Sequence, residues 1–375
     1  NSFAGVSKKN GMSFGFFVDP DTNSNKAYGY VRYVLPNSNA ANNGIVRGTI
    51  FNKVNGVQIT YNSATNQIDS ESISSLNQDS YSIDLATYNG VIVTPTGSSV
   101  SLIKTVLTEN PILLSSVLEV STIKIGYLMY NSFTANYDDE LNAVFANFQA
   151  NGVTQLVLDF RYNPGGSVHS AITLSSLVTG QFSGQVFSTE QWNTKWQSYY
   201  QQNDPAQLTN AFVSQTRSGQ TLNSLNLSKV YVITTGRSAS ASELVINGLN
   251  PYIDVVQIGT ATTGKFQASV TLYDSSNFGK TGANPGHKYA LQPLVLKSLN
   301  SVGFTDYFNG FSPDPTMELS EDFSNMNVLG NETEPLLALV IADITGSGKA
   351  ALMSNKAALN SIKVIDFVNH PLEST

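Results

Sequence analysis

The sequence predicts an α/β fold preceded by a β-rich region, and three observations carry that prediction. From about residue 120 onward, short apolar runs alternate with segments of helical periodicity. Before that point there are only brief β-like runs separated by turn residues. The 375 residues, 41% hydrophobic and without cysteine, are enough for two or three domains closed by apolar burial alone.

Taken in order, the first region covers residues 11–118. Its strand candidates are Gly29 to Leu35, Gly48 to Phe51, Gly90 to Val93 and Val100 to Lys104. Asn55-Gly56 and Asn89-Gly90 supply turn chemistry between them, and the polar stretch 58–80 reads as loop or short helix. The second region covers 119–375. Ile123 to Tyr130 reads as a strand. Asp138 to Ala150 reads as a helix with Leu141, Val144, Phe145 and Phe148 on one face, closed by Gly152. Gln155 to Phe160 is a buried strand leading through Asn163-Pro164-Gly165-Gly166 into a helical run with Ala171, Leu174, Leu177 and Val178. Lys229 to Thr234 is a strand that enters the Ser- and Ala-rich start of another helix, and Val255 to Gly259 is the next strand. Repeated strand–loop–helix units imply a largely parallel sheet. Between them, residues 182–226 are polar and aromatic, with Trp192, Trp196, Tyr199 and Tyr200, and read as an inserted lid.

Composition excludes several function classes. Twenty basic against 27 acidic residues argue against nucleic acid as a partner, because phosphate binding needs clustered Lys and Arg. The absence of cysteine removes disulfides, thiolate zinc sites and cysteine nucleophiles. No apolar run reaches the ~18 residues of a membrane-spanning helix; the longest is near Leu336 to Ala342. Only 13% of residues are charged, about half the usual share. With Asn, Ser and Thr abundant, that composition gives the expectation of an extracytoplasmic protein, whether periplasmic, envelope-associated or secreted. Oligomeric state is not legible.

Three motifs fail on inspection. Asp19 to Asn25 is calcium-loop-like, but Ser24 and Tyr30 stand where an EF-hand needs Gly and Glu. Gly259 to Lys265 matches the start of a P-loop, but Phe266 replaces the magnesium-holding Ser or Thr and the next residues alternate like a strand. His169, His287 and His370 are the only histidines, which does not favour a Ser-His-Asp triad. No metal and no cofactor are expected.

The informative segment is Gly236 to Glu243, at the carboxyl end of a predicted parallel strand, where open α/β sheets place ligands. Ser240 at a helix start has backbone N–H groups beside it that can hold an oxyanion, and Ser240-x-x-Glu243 is equally a capping box. Lys265 follows the next strand, 25 residues after Ser240, and one crossover can bring the two loops together. A lysine walled in by Phe266 and nearby aliphatics loses its preference for charge and becomes a usable base. The turn at Gly165 and Gly166 can offer a second N–H to an oxyanion, or simply be a tight helix entry.

At these residues the sequence resembles the C-terminal processing peptidases, or tail-specific proteases. Leu156 to Gly166 resembles the family's "DLRxNxGG" block, Ser238-Ala239-Ser240-Ala241-Ser242-Glu243 its "SASASE" nucleophile segment, and Gly264-Lys265 the place of its general base. Lys124 to Phe133 resembles "GYLRIxxF", and Gly310 to Asp314 resembles "GxxPD". In the first region, Ser13-Phe14-Gly15-Phe16 resembles the "GLGF" loop of a PDZ domain, and Asn37 to Gly56 resembles a further PDZ block. The resemblance implies a ClpP/crotonase-like α/β protease core, residues 119–375, behind a PDZ-like peptide-binding domain, residues 11–118. It implies a serine endopeptidase with Ser240 as nucleophile, Lys265 as base, and Ala241 with Gly165 or Gly166 as oxyanion donors. Phe14, Gly15 and Phe16 would receive the C-terminus of a peptide or protein substrate. Two positions depart from the pattern: Ser269 where the family keeps a Gln after its lysine, and Thr49 for a common Asp. The departure at Ser269 leaves a second expectation, a catalytically inactive peptide- or glycan-binding protein on the same scaffold.

Overall fold

A computed structural model describes residues 5–348 except 22, together with 353, 356, 359 and 362–365. His370 lies outside the described residues. The first region is a seven-stranded antiparallel sheet in the order Val364–Ile365, Met12–Val18, Ala27–Val34, Ile50–Val54, Ser80–Tyr88, Val93–Ile103, with Val57–Gln58 hairpinned onto Ile50–Val54. That hairpin turns on Asn55 and Gly56, both at positive φ (49° and 76°), the primed turn that matches strand twist. Phe16, Val31, Phe51, Val54, Ile83, Leu102 and Ile365 close one core. Helix Ser70–Asn77 starts at Asp69, whose carboxylate accepts from Ser72 N at 2.7 Å, and adds Ile73 and Leu76 to that core. Of the run expected at 90–93 only Val93 is in a strand, because 90–92 form the turn before it. Residues 100–103 of the run expected at 100–104 belong to that same strand, Val93–Ile103, which pairs with a strand, Ser80–Tyr88, that the pattern had hidden. The reason is exposure: Thr94, Pro95, Thr96, Ser98 and Ser99 face solvent on an edge, where Pro is tolerated and no apolar alternation is required.

The second region centres on a five-stranded sheet in the order Ile112–Val120, Ile123–Tyr130, Gln155–Asp159, Lys229–Thr234, Asp254–Gly259. The first pair is antiparallel and the rest parallel. The expected division at 118/119 falls inside Ile112–Val120, which pairs with Ile123–Tyr130 throughout. Helices Asp138–Ala150, Val168–Thr179 and Ala241–Leu249 cover one face, burying Tyr130, Leu158, Leu174 and Val245 together. Helix Pro335–Thr345 covers the other, with Tyr127, Val157, Ile258, Leu336 and Val340. Successive residues of one strand therefore enter different cores, so these strands read as unbroken apolar runs. The apolar run at 336–342 is this packed helix. Among the described residues no helix is long and apolar enough to cross a membrane.

The 182–226 segment, expected as an inserted lid, contributes strands to a second sheet. Val186–Trp192 and Thr209–Ala211 form half of a four-stranded antiparallel sheet with Leu294–Asn300 and Gln267–Ser269. Phe187 is fully buried against the main core. The segment thus shares a sheet with the strand that follows Lys265, Leu294–Asn300 lying between them. Its helix Thr194–Asn203 keeps Trp196 and Tyr199 exposed on the outside.

An ionic hub joins the two regions. Arg161, fully buried, binds Asp159 (2.7 Å) and Glu334 (2.5 Å). Arg47 of the first sheet reaches Glu321 (2.8 Å) and the Tyr162 hydroxyl (2.6 Å). Burial alone would raise the Glu321 pKa, but Arg47 and Arg161 outweigh it and hold the carboxyl below its ordinary value.

Candidate active site

The three serines of Ser238-Ala239-Ser240-Ala241-Ser242 have different surroundings. Ser238 Oγ donates to Phe160 O (2.8 Å) and Ser242 Oγ to Asn163 O (2.9 Å), both fully buried. Ala239 N also donates to Asn163 O. These bonds pin the loop after strand Lys229–Thr234 to the loop after Gln155–Asp159. Ser240, half-buried between them, has φ 56° and ψ −111° at the start of helix Ala241–Leu249. A side-chain-bearing residue held there is strained by about 1–3 kcal/mol, and such sharp strand-to-helix turns present nucleophiles.

Glu243 maintains that strain. It is fully buried and its carboxylate accepts four hydrogen bonds: Thr262 Oγ1 and Gly264 N at 2.6 Å on Oε1, Ser240 N and Lys265 N at 2.8 Å on Oε2. Two nitrogens that share one oxygen stand no more than twice that distance apart. The backbones of Ser240 and Lys265 are therefore neighbours, well within the span of a lysine stem. The sequence showed Glu243 as half of a capping box. Its second role, tying in the Lys265 loop, depends on the crossover and has no local signature.

Gly165 lies against Ser240 and Gly166 against Phe133, at φ 106° and 139°. A Cβ on Gly165 would come within 2.7 Å of Ser240 Cβ, and one on Gly166 within 2.4 Å of Phe133 O, so both positions require glycine. Their amides differ. Gly165 N donates to Asn163 Oδ1 at 2.9 Å, whereas among the described residues no acceptor takes Gly166 N or Ala241 N. Of the two glycines, Gly166 has the available donor. Ala241 N is open because the first turn of a helix leaves its N–H groups unpaired.

Lys265 differs from the expectation of a dry pocket. Its side chain is exposed, and among the described residues no hydrogen bond joins its amine to Ser240. Phe266, expected as its wall, is buried instead against Tyr307 and Phe308, with ring centroids 5.5 and 4.7 Å away. Neighbouring side chains on an extended backbone point to opposite sides, so burying Phe266 turns Lys265 outward. Ser269 pairs through the strand with Leu294. Of the histidines, His169 Nδ1 lies 3.5 Å from Asp138 and His287 Nε2 lies 3.1 Å from Asp274, and neither has a described contact with Ser240.

Phe14, Gly15 and Phe16 sit within strand Met12–Val18, not in a loop. Phe16 is fully buried and pairs with Ile365; a Cβ on Gly15 would meet Arg32 at 2.4 Å. The loop expected at these residues is thereby corrected. Apolar alternation on both sides draws them into the sheet, and the adjoining open surface is at Met12 to Phe14.

Comparison with known proteins finds similarity over the region that contains these residues. Residues 124–284, which hold Ser240, Lys265 and both glycines, match the family model described as peptidase family S41. A crystal structure of a Bacteroides fragilis protein described as an S41 protease superposes with a TM-score of 0.72 at 28% identity, covering 91% of this chain and 83% of that one. A carboxyl-terminal-processing protease from Picosynechococcus sp. is 28% identical over 43% of this chain, and a CtpA-like serine protease from Staphylococcus epidermidis is 27% identical over 38%. The chain spans only 34% and 25% of the length of these two relatives. The protein thus has an S41 protease-like fold, mixed α/β with several β-rich sheets, and distant similarity to C-terminal processing proteases.

Proposed function

We propose that the protein is a serine endopeptidase in which Ser240 attacks the peptide carbonyl and Lys265 is the base. The observation that carries this reading is the Glu243 carboxylate oxygen shared by the backbones of a strained serine and a lysine. In the attack, Ser240 Oγ bonds to the carbonyl carbon and its proton passes to the uncharged amine. Ala241 N–H and Gly166 N–H receive the oxyanion, preorganised because both are fixed by backbone geometry. The lysine then protonates the departing amine and draws a proton from the water that releases the acyl group. Because Lys265 is exposed without substrate, the bound peptide is the wall that excludes water from it and favours its neutral form. The first region acts as a PDZ-like domain that brings an extended peptide to the site by strand addition. Strand Met12–Val18 already takes such an addition from Val364–Ile365, which leaves Met12 to Phe14 for substrate.

Ser240→Ala should abolish hydrolysis of an unstructured protein substrate while leaving the unfolding midpoint unchanged; residual turnover at the wild-type rate would end the proposal. A second reading, peptide binding without turnover, draws on the exposure of Lys265. A serine-reactive phosphonate separates them: labelling of Ser240 in the wild-type chain supports catalysis, and its absence supports binding alone.

A further inference from the structure

We propose that Asn131 is a substrate-binding residue whose side-chain amide pairs with a main-chain amide of the bound peptide. The proposal rests on the peptidase reading above and names the group that positions its substrate. A cavity of about 540 Å³ lies between the two regions, lined by Met12, Phe14 and Leu76 on one side and by Asn131, Pro164 and Arg237 on the other. Pro164 adjoins Gly165, which packs on Ser240, so the cavity opens beside the proposed nucleophile.

Asn131 stands at the end of strand Ile123–Tyr130 and is 4% exposed. Its backbone is committed: its N–H donates to Pro111 O at 2.8 Å, and the preceding carbonyl of Tyr130 accepts from Asn163 at 2.7 Å. Its side chain is not, since among the described residues neither Nδ2 nor Oδ1 has a partner. A buried amide with both ends unpaired is costly and uncommon. Its missing complement is one donor and one acceptor side by side, which is what an extended main chain presents. Of the charged groups around the cavity, Lys8 pairs with Asp79 and Lys9 with Glu109, and Lys104 donates to the Leu76 carbonyl. A main-chain amide supplies both the acceptor that Nδ2 needs and the donor that Oδ1 needs, whereas a carboxylate supplies acceptors alone. The pairing requires the Asn131 side chain to turn toward the cavity that the residue lines.

The test compares the full-length wild type with Asn131→Leu, a variant of similar size without polar atoms, on one unstructured peptide and its set of single N-methylated derivatives. Expected are a kcat/KM lowered about tenfold or more, mainly through KM, and an unfolding midpoint equal to or above wild type. One N-methylated position should slow the wild type and leave the variant unaffected. Unchanged kcat/KM, a lowered midpoint, or equal N-methyl sensitivity at every position would overturn the proposal. If the wild type binds the peptide without cleaving it, the peptidase reading fails alone and the same comparison is read as affinity by fluorescence anisotropy. Weaker binding by Asn131→Leu then supports the assignment and equal binding overturns it. A wild type that neither cleaves nor binds overturns both.

Discussion

At the scale of residues, the site depends on one strained backbone and one carboxylate. Ser240 at φ 56° costs stability that glycine would not, so Ser240→Gly should raise stability by about 1 kcal/mol while removing turnover. Urea unfolding and peptide hydrolysis measure the two effects; a loss of stability would show that the side chain, not the backbone, dominates there. Glu243→Gln presents an NH₂ group where N–H donors need an acceptor. Because four donors converge on Glu243, the change should cost about 2–3 kcal/mol and lower kcat/KM by about a hundredfold or more. A variant with wild-type stability would mean that the loop at 262–265 is held by other contacts. Ser240 and Lys265 could be singled out from the sequence because a serine at a helix start and a lysine after the next strand is a chemical pattern. The outward side chain of Lys265 could not, because it follows from where Phe266 finds its aromatic partners.

At the scale of elements, the loop after Gly259 carries the proposed base. Turnover should climb from neutral pH to pH 9, since only an uncharged amine accepts the Ser240 proton. A flat kcat/KM profile over that range would count against Lys265. The pairing of Val364–Ile365 with Met12–Val18 is the other element-level device. Val18 N donates to Lys363 O at 2.9 Å, and Ile365 is 8% exposed in the first core. Ile365→Ser should cost about 2–3 kcal/mol locally and speed hydrogen exchange at the Val18 amide. Unaltered exchange would show that the pair contributes little. Helix Asp138–Ala150 and the strands of the parallel sheet were legible because their burial is continuous or periodic. Strand Val93–Ile103 was not, because a solvent-facing edge is polar.

At the scale of the whole molecule, Arg47, Tyr162, Glu321, Arg161 and Glu334 bind the first sheet to the second. The Glu321 carboxyl is held below its ordinary value of 4.5, first against the opposing effect of burial, by Arg47 and then Arg161. A carboxyl depressed in the folded state lends stability that is full above its unfolded value and is lost as pH falls through the folded one. Stability should therefore decline below about pH 4.5, and Glu321→Gln should flatten that decline. Thermal unfolding of both proteins between pH 3 and 7 measures it; parallel curves would remove Glu321 as the cause.

The sequence by itself determined the α/β alternation, the glycine turn, the serine at the helix start and the lysine one crossover later. Each of these is written in neighbouring residues, as periodicity, as turn chemistry or as a short motif. Tertiary structure alone decided that Glu243 holds both loops. It also decided that residues 182–226 belong to a sheet and that Ile365 enters the first core. Those outcomes depend on partners 22 to 349 residues apart, and pairing over such distances is set by how whole faces pack, which no local pattern encodes.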